Sequence, residues 1–217
     1  MYYSKTISKF LLLIIVLLMH GQYSVAQTAR ITDSVYRILA TAKPDSAGIE
    51  LYLKTGAEME GIYPQLAADI YRKALNMSTE LKLRRGVTKS MIYYSATMYL
   101  LGKNDSGFYY NKEALALSKQ NGDTLYAGIC LMNMAMVSQQ TGENEQALEY
   151  LLEGCRLIEK SESENIQNIE MQMQATLQTV YNGRSEFDKS IQAGKETVLL
   201  ARKLNSKSSE GLSLIHI

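Results

Sequence analysis

The stretch from Gly128 to Ile158, GICLMNMAMVSQQTGENEQALEYLLEGCRLI, reads as two amphipathic helices folded back on each other. The turn between them falls at Thr141–Asn144, where Gly142 supplies a backbone that tolerates a tight reversal. Apolar residues recur at helical spacing on both sides of this turn, and no alternating strand pattern is present. The stretch therefore predicts an antiparallel helical hairpin.

A second copy of this pattern lies 40 residues closer to the N-terminus, in TKSMIYYSATMYLLGKNDSGFYYNKEALAL, residues 88–117. In this alignment Gly102 matches Gly142, and Gly107 matches Ala147. A further step of 40 residues reaches Ala67, Ile70, Ala74, Leu75 and Met77. Self-similarity at a fixed period is typical of stacked repeat architectures, so the repeat is the strongest evidence for the fold.

We predict an all-α chain with a cap helix over residues 29–43 and four helical hairpins over residues 45–204. Pro44 is expected to end the cap helix, because proline lacks the N–H and disfavours helix in the residue before it. From the third to the fourth hairpin the period is 43, and we place the three extra residues at Ser161–Glu164. In the first hairpin the pattern fits poorly in one helix, where Lys54, Thr55 and Glu58 fall at apolar or small positions.

The two ends of the chain differ from the repeats. Lys5 and Lys9 precede the apolar run Phe10–Met19, and Ser24-Val25-Ala26 follows it, which predicts a secretory signal over residues 1–26 cleaved after Ala26. The alternative is an uncleaved anchor, but the run is shorter than the roughly 20 apolar residues that a spanning helix needs. Residues 205–217 resemble the truncated start of a further repeat, and it stays open whether residues 213–217 are native.

Composition argues against several classes of function. A net charge of +1 provides no broad basic face, so we expect no nucleic-acid partner. The two histidines, His20 and His216, lie in the signal segment and the tail, which leaves the repeats without a histidine for a metal site or a general base. Glycine-rich phosphate loops are also absent from the sequence. We predict no enzymatic activity and no cofactor.

The repeat pattern resembles the tetratricopeptide repeat. That family has a small residue at the eighth position of the first helix, here Ser95 and Ala135, and a glycine at the turn. Its aromatic residue near the repeat start is replaced by Met91 and Leu131, and the spacing is similar to that of the longer-helix subtype. The resemblance implies a right-handed superhelical solenoid of antiparallel helix pairs that binds a protein or peptide partner.

The signal segment, cap helix and long repeats together resemble the extracytoplasmic sensor regions of Gram-negative tetratricopeptide-repeat sensor histidine kinases and related regulators. That resemblance implies a periplasmic location, with membrane attachment only through the signal segment or through a part that would follow residue 217. One alternative is a complete exported adaptor that scaffolds envelope proteins. A remote alternative is a carbohydrate-binding protein of the starch-utilisation type, which normally has a lipidated cysteine that is absent after this signal segment.

The family binds partners in a concave groove lined by the first helix of each repeat. Carrying that register over predicts twelve groove residues: Lys89, Ile92, Ala96, Tyr99, Ile129, Met132, Met136, Gln139, Gln172, Ala175, Thr179 and Asn182. Adaptable methionines and amide groups suit an extended peptide. The alternative is that Ile92, Met132 and Met136 are partly buried against neighbouring helices.

Cys130 and Cys155 are the only cysteines, and the predicted hairpin brings their levels together. Export to an oxidising compartment would allow a disulfide between them to persist. The alternative is two buried thiols that act as small apolar residues.

Overall fold

The structure, a computed structural model, describes residues 29–159 and 163–205. Within this part every regular element is a helix, which confirms the predicted all-α class. The helices are α1 (29–39), α2 (Ser46–Glu60), α3 (Pro64–Glu80), α4 (Arg84–Leu100), α5 (Asn104–Asn121), α6 (Thr124–Gln140), α7 (Asn144–Ile158), α8 (Glu164–Gly183) and α9 (Phe187–Lys203). The predicted signal segment, the Ser161–Glu162 part of the predicted insertion and residues 206–217 lie outside the described residues.

Each helix packs mainly on the helices that precede and follow it in the chain. After α1 the helices form four consecutive pairs, α2–α3, α4–α5, α6–α7 and α8–α9. Below, α2, α4, α6 and α8 are the first helices, and α3, α5, α7 and α9 are the second helices. Each first helix also contacts the next first helix, so these four helices lie side by side. None of the described helices is long and apolar enough to cross a bilayer.

The cap helix is shorter than predicted, because it ends at residue 39 rather than 43. The amides of Thr41 and Ala42 donate to the carbonyl oxygens of Ile38 and Leu39, three residues back, and so tighten the chain into a turn ahead of Pro44. Asp45 then caps α2, since its carboxylate accepts a 2.9 Å hydrogen bond from the Gly48 amide.

Most turns share one backbone conformation at the helix C-terminus. Gly102, Gly122 and Gly142 have φ between 67° and 83°, the left-handed region that closes a helix and satisfies its last carbonyl groups. The next residue donates its amide five residues back; for example, the Lys103 amide bonds the Met98 carbonyl at 2.9 Å. Lys82 adopts the same conformation with φ 56°.

The end of α2 closes with a different hydrogen bond from the ends of the other first helices. The Tyr63 amide donates only four residues back, to the Met59 carbonyl. A shift of 39 rather than 40 therefore aligns α2 with α4, and Gly56 then matches Ser95. The predicted alignment of Lys54, Thr55 and Glu58 used a shift of 40, and with a shift of 39 they match Tyr93, Tyr94 and Thr97.

Where the two helices of a pair meet, the sizes of the facing side chains compensate each other. In the first pair Gly56 faces the buried ring of Tyr71, because a Cβ at Gly56 would lie 2.3 Å from the Tyr71 Cε1 atom. In the second pair Ser95 and Asn111 share the site through a 3.3 Å hydrogen bond. The equivalent buried residues are Ala135 and Leu151 in the third pair, and Gln178 and Gly194 in the fourth. A large residue is therefore matched by a small one, which keeps the helices of each pair at close-packing distance.

Candidate binding surface on the first helices

One side of the first helices remains open to solvent and carries most of the predicted groove residues. Met136 is the most exposed apolar member, with 44% of its surface accessible. Eight other predicted residues fall into two groups by exposure. Exposed are Gln172, Thr179 and Asn182, whereas Lys89, Ala96, Ile129, Gln139 and Ala175 are half-buried.

Two predicted groove residues lie in the core instead. Ile92 is 7% exposed and Met132 is 8% exposed, and both belong to the main apolar cluster. The reason is the lateral packing of α4, α6 and α8, which covers the helix face on which these residues lie. The exposed row therefore repeats Lys89–Ala96 and its equivalents in α6 and α8, and does not include Ile92 or Met132.

Tyr99 also has a packing role. A Cβ on Gly107 would lie 2.6 Å from the Tyr99 Cε1 atom, so the ring covers the start of α5. The Tyr99 hydroxyl is buried and has no hydrogen-bond partner among the described residues. Burial raises the pKa of this hydroxyl above its usual value, and the charges that Tyr150 and Cys130 would carry raise it further.

Leu100 was missed by the sequence prediction. It is 64% exposed at the end of α4, four residues after Ala96 and on the same helix face. The period of 40 aligns Leu100 with Gln140, a polar residue that is also exposed. This alignment could have identified the position from the sequence. Leu100 extends the exposed row to the edge where the helix pairs turn.

An ion pair fixes the other end of this row. The Lys89 ammonium lies 2.7 Å from Glu50 Oε1, so it joins α4 to α2. The Thr97 hydroxyl donates to Glu60 near the opposite ends of the same two helices. These two polar contacts join α2 to α4 near both ends of the two helices.

The two cysteines are separate thiols in the structure, so the predicted disulfide is not formed in it. Cys130 is fully buried beside α5, where its carbonyl oxygen accepts from Asn111. The Cys155 Sγ instead accepts a weak 3.9 Å contact from Gln174 of α8. Burial raises the pKa of Cys130 to about 12 and that of Cys155 to about 11, which disfavours the thiolate that disulfide chemistry requires.

Within residues 29–159 and 163–205, no three His, Cys, Asp or Glu side chains come together as a metal ion would need. The largest upward pKa shifts in this part belong to buried tyrosines and cysteines, and desolvation is the first cause of each. Desolvation therefore favours the neutral form of each of these groups.

Comparison with known proteins gives a fold relationship. No family model matches the chain, and no curated protein matches it. The crystal structure of BtubC (BKLC) from P. vanneervenii is similar, with a TM-score of 0.71 and 17% sequence identity. The superposition covers 87% of this chain and 80% of that one. At this identity the likeness shows a shared helical fold and does not extend to function.

Proposed function

We propose that this chain is a non-enzymatic protein-binding module of the tetratricopeptide-repeat type, a right-handed solenoid whose first helices bind a peptide or a partner segment. The observation that carries the proposal is the open row on α4, α6 and α8. It combines exposed apolar side chains, Leu100 and Met136, with exposed polar ones such as Gln172 and Thr179.

The physical argument concerns what this row offers a ligand. Leu100 and Met136 can bury apolar area against a partner, and each fully covered side chain of this size contributes roughly 1.5–3 kcal/mol. The amide and hydroxyl groups of Gln172 and Thr179 can pair with the main chain of an extended peptide. Because lateral packing and the Lys89–Glu50 ion pair already order the helices, binding requires little ordering of the receptor.

For the cellular setting we propose the periplasmic sensory part of a longer signal-transduction protein. The support is the sequence pattern of residues 1–26 together with the cap helix and long repeats. A stand-alone exported adaptor is the second candidate. Mass spectrometry of protein recovered from the periplasm of a Gram-negative host tests export, and we expect a new N-terminus at Gln27.

Binding is tested by selecting peptides from a random library on the purified chain and measuring their affinity by fluorescence anisotropy. We expect Met136→Glu to weaken a selected peptide at least about tenfold, because a charge replaces an apolar contact at the interface. Leu152→Glu is the matched control, since Leu152 is 40% exposed on a second helix. Equal losses in both variants, or none in Met136→Glu, contradict the proposal.

A further inference from the structure

A basic cleft opens at the edge where the first helices begin. It has a volume of about 560 Å³ and lies against the N-terminal ends of α2 and α4, beside Tyr126 of α6. Four cationic side chains line it, namely Lys82, Arg84, Arg85 and Lys89. Glu50 is the one carboxylate among its lining residues, so the cleft is much more basic than a chain of net charge +1.

These four cations are satisfied to different degrees. Glu50 binds Lys89, and Asp123 Oδ2 lies 3.5 Å from the Arg85 Nε, although 74% of the Arg85 side chain is exposed. Among the described residues, the Arg84 side chain meets only the neutral Asn121 amide oxygen, at 3.4 Å. The Lys82 residue is exposed, and its side chain has no hydrogen bond or ion pair to the described residues. The cleft therefore retains positive charge that its own carboxylates do not neutralise.

Arg84 and Arg85 occupy positions that the helix itself disfavours. They form the first turn of α4, where the backbone dipole is positive and acidic residues are preferred. Other helices follow that preference, with acidic residues in the first turns of α5, α7, α8 and α9: Asp105, Glu145, Glu164 and Asp188. Two adjacent cations at such a position add repulsion, and both residues are exposed.

Lys82 departs from a local preference in the same segment. Its φ of 56° places it in the left-handed region, and the equivalent residue 40 positions later is Gly122 with φ 67°. Glycine adopts this conformation without the steric cost that a lysine side chain incurs. Lys82, Arg84 and Arg85 are thus each unfavourable for the local backbone, and each adds a cation to the cleft. Local rules broken together are expected at functional sites.

We propose that this cleft binds carboxylate side chains of an acidic segment in a protein partner. The inference rests on the proposed function, because Lys89 belongs both to the cleft and to the exposed row. A ligand lying along the first helices would therefore continue into the cleft. The cations are distributed from the loop before α4 to its second turn, which suits several carboxylates in series better than one compact anion.

The apolar walls fit the same ligand. Ile49 and Leu83 line the cleft beside the charges, and the Arg85 guanidinium lies 5.4 Å from the Tyr126 ring centre. Such walls can cover the methylene groups of glutamate side chains while the charged ends meet the arginines.

The test uses fluorescein-labelled hexaglutamate and the purified chain in an anisotropy titration at low and high salt. We expect binding that weakens as salt is raised, because the attraction is between charges that solvent can screen. The variant Lys82→Gly/Arg84→Glu should lose at least about tenfold in affinity, because it removes two of the four cations and places a negative charge at position 84. It should melt at or above the wild-type temperature, because both substitutions restore the local preferences.

Lys112→Glu/Lys195→Gln is the matched control, because it makes the same charge change at exposed positions of α5 and α9. We expect hexaglutamate affinity within about twofold of wild type in this control. Equal loss in both variants, or unchanged affinity in Lys82→Gly/Arg84→Glu, overturns the inference. Complete competition by inorganic phosphate at the concentration of peptide carboxylates also overturns it, because it indicates a compact-anion site. The library-selected peptide is titrated separately, so a chain that binds this peptide but not hexaglutamate fails only the present inference, whereas a chain that binds neither fails the proposed function as well.

Discussion

The side-chain amide of Asn111, in α5, donates a 2.7 Å hydrogen bond to the carbonyl oxygen of Cys130, in α6. Its Oδ1 atom accepts from the Ser95 hydroxyl of α4 at 3.3 Å. Asn111 has no accessible surface, so both bonds lie in the core. One residue therefore connects the second helix pair internally and joins it to the third.

We expect Asn111→Asp to destabilise the protein by at least about 2 kcal/mol, because it removes a buried donor and places a carboxyl group against a carbonyl oxygen. Chemical denaturation followed by circular dichroism measures the change. Asn76→Asp is the control, since Asn76 is exposed in α3 and the same change there should cost less than about 0.5 kcal/mol. Equal effects at the two sites would show that the buried bonds carry no net stability.

Two helix-interior glycines should respond differently to alanine. A Cβ at Gly107 would lie 2.6 Å from the Tyr99 ring and 3.0 Å from the Ser95 carbonyl oxygen, whereas at Gly154 it meets the flexible end of Met173. We expect Gly107→Ala to cost about 1–3 kcal/mol and Gly154→Ala to cost less, because a thioether end moves more easily than a ring and a backbone. Urea denaturation gives the order.

Gly183→Ala is the control for that series, because no atom lies within 4 Å of the added Cβ. The helix propensity of alanine should then stabilise the protein by up to about 1 kcal/mol. A larger cost at Gly154 than at Gly107 would contradict the packing described here.

Ser185 ends its helix turn with φ 59°, as Gly142 does with φ 83°. We expect Ser185→Gly to stabilise the protein by about 0.5–1 kcal/mol, because glycine enters the left-handed region without a Cβ clash. Gly142→Ser is the reciprocal control and should destabilise the protein. Melting temperatures that move in the same direction for both variants would rule out this explanation.

Stability should fall as the pH rises above about 9. Burial raises the pKa of Cys155 from 9.0 to about 11 and that of Cys130 from 9.0 to about 12. The unfolded chain therefore loses these protons at a lower pH than the folded chain does. The stability that the two thiols contribute is fully present below pH 9 and declines as the pH rises through 11 to 12. Urea midpoints measured from pH 7 to 11 test this, and Cys155→Ala should flatten the decline. A midpoint that rises over this range would be the wrong sign.

Tyr99→Phe should stabilise the protein by about 1 kcal/mol at pH 7. The Tyr99 hydroxyl is buried without a described partner, and removing it abolishes the desolvation cost of an unmade hydrogen bond. Tyr109→Phe, at a tyrosine that is 59% exposed, should have almost no effect. Thermal melts of the two variants decide the point; a loss of stability in Tyr99→Phe would show that the hydroxyl has a partner.

The sequence predicted those parts of the fold that depend on local chemistry. The all-α class followed from the helical period, and the turns followed from Gly102 and Gly142. The different closure at the end of α2 was missed, because the Tyr63–Met59 hydrogen bond leaves no composition signal. Asn111 was also missed as a core residue because it is polar, although the equivalent Tyr71 and Leu151 are apolar and buried.

The candidate surface was predicted only in part for a related reason. A helical register identifies a face, but lateral contacts between α4, α6 and α8 decide how much of that face is covered. Ile92 and Met132 are on the covered side of it, and Met136 is on the open side. The basic cleft forms where α2, α4 and α6 approach one another. Because these helices are separate in sequence, no local sequence pattern predicted the cleft.

The most direct test of the binding surface uses the methionine methyl groups as NMR reporters. With ¹³C-methyl methionine and a library-selected peptide, we expect the Met136 signal to shift on titration, because its side chain is exposed on α6. The Met173 and Met98 signals should move little, since these side chains are 0% and 3% exposed. Assignment by Met136→Leu identifies the reporter. A Met136 signal that stays fixed while the peptide binds would contradict the account, because the partner would then occupy another surface.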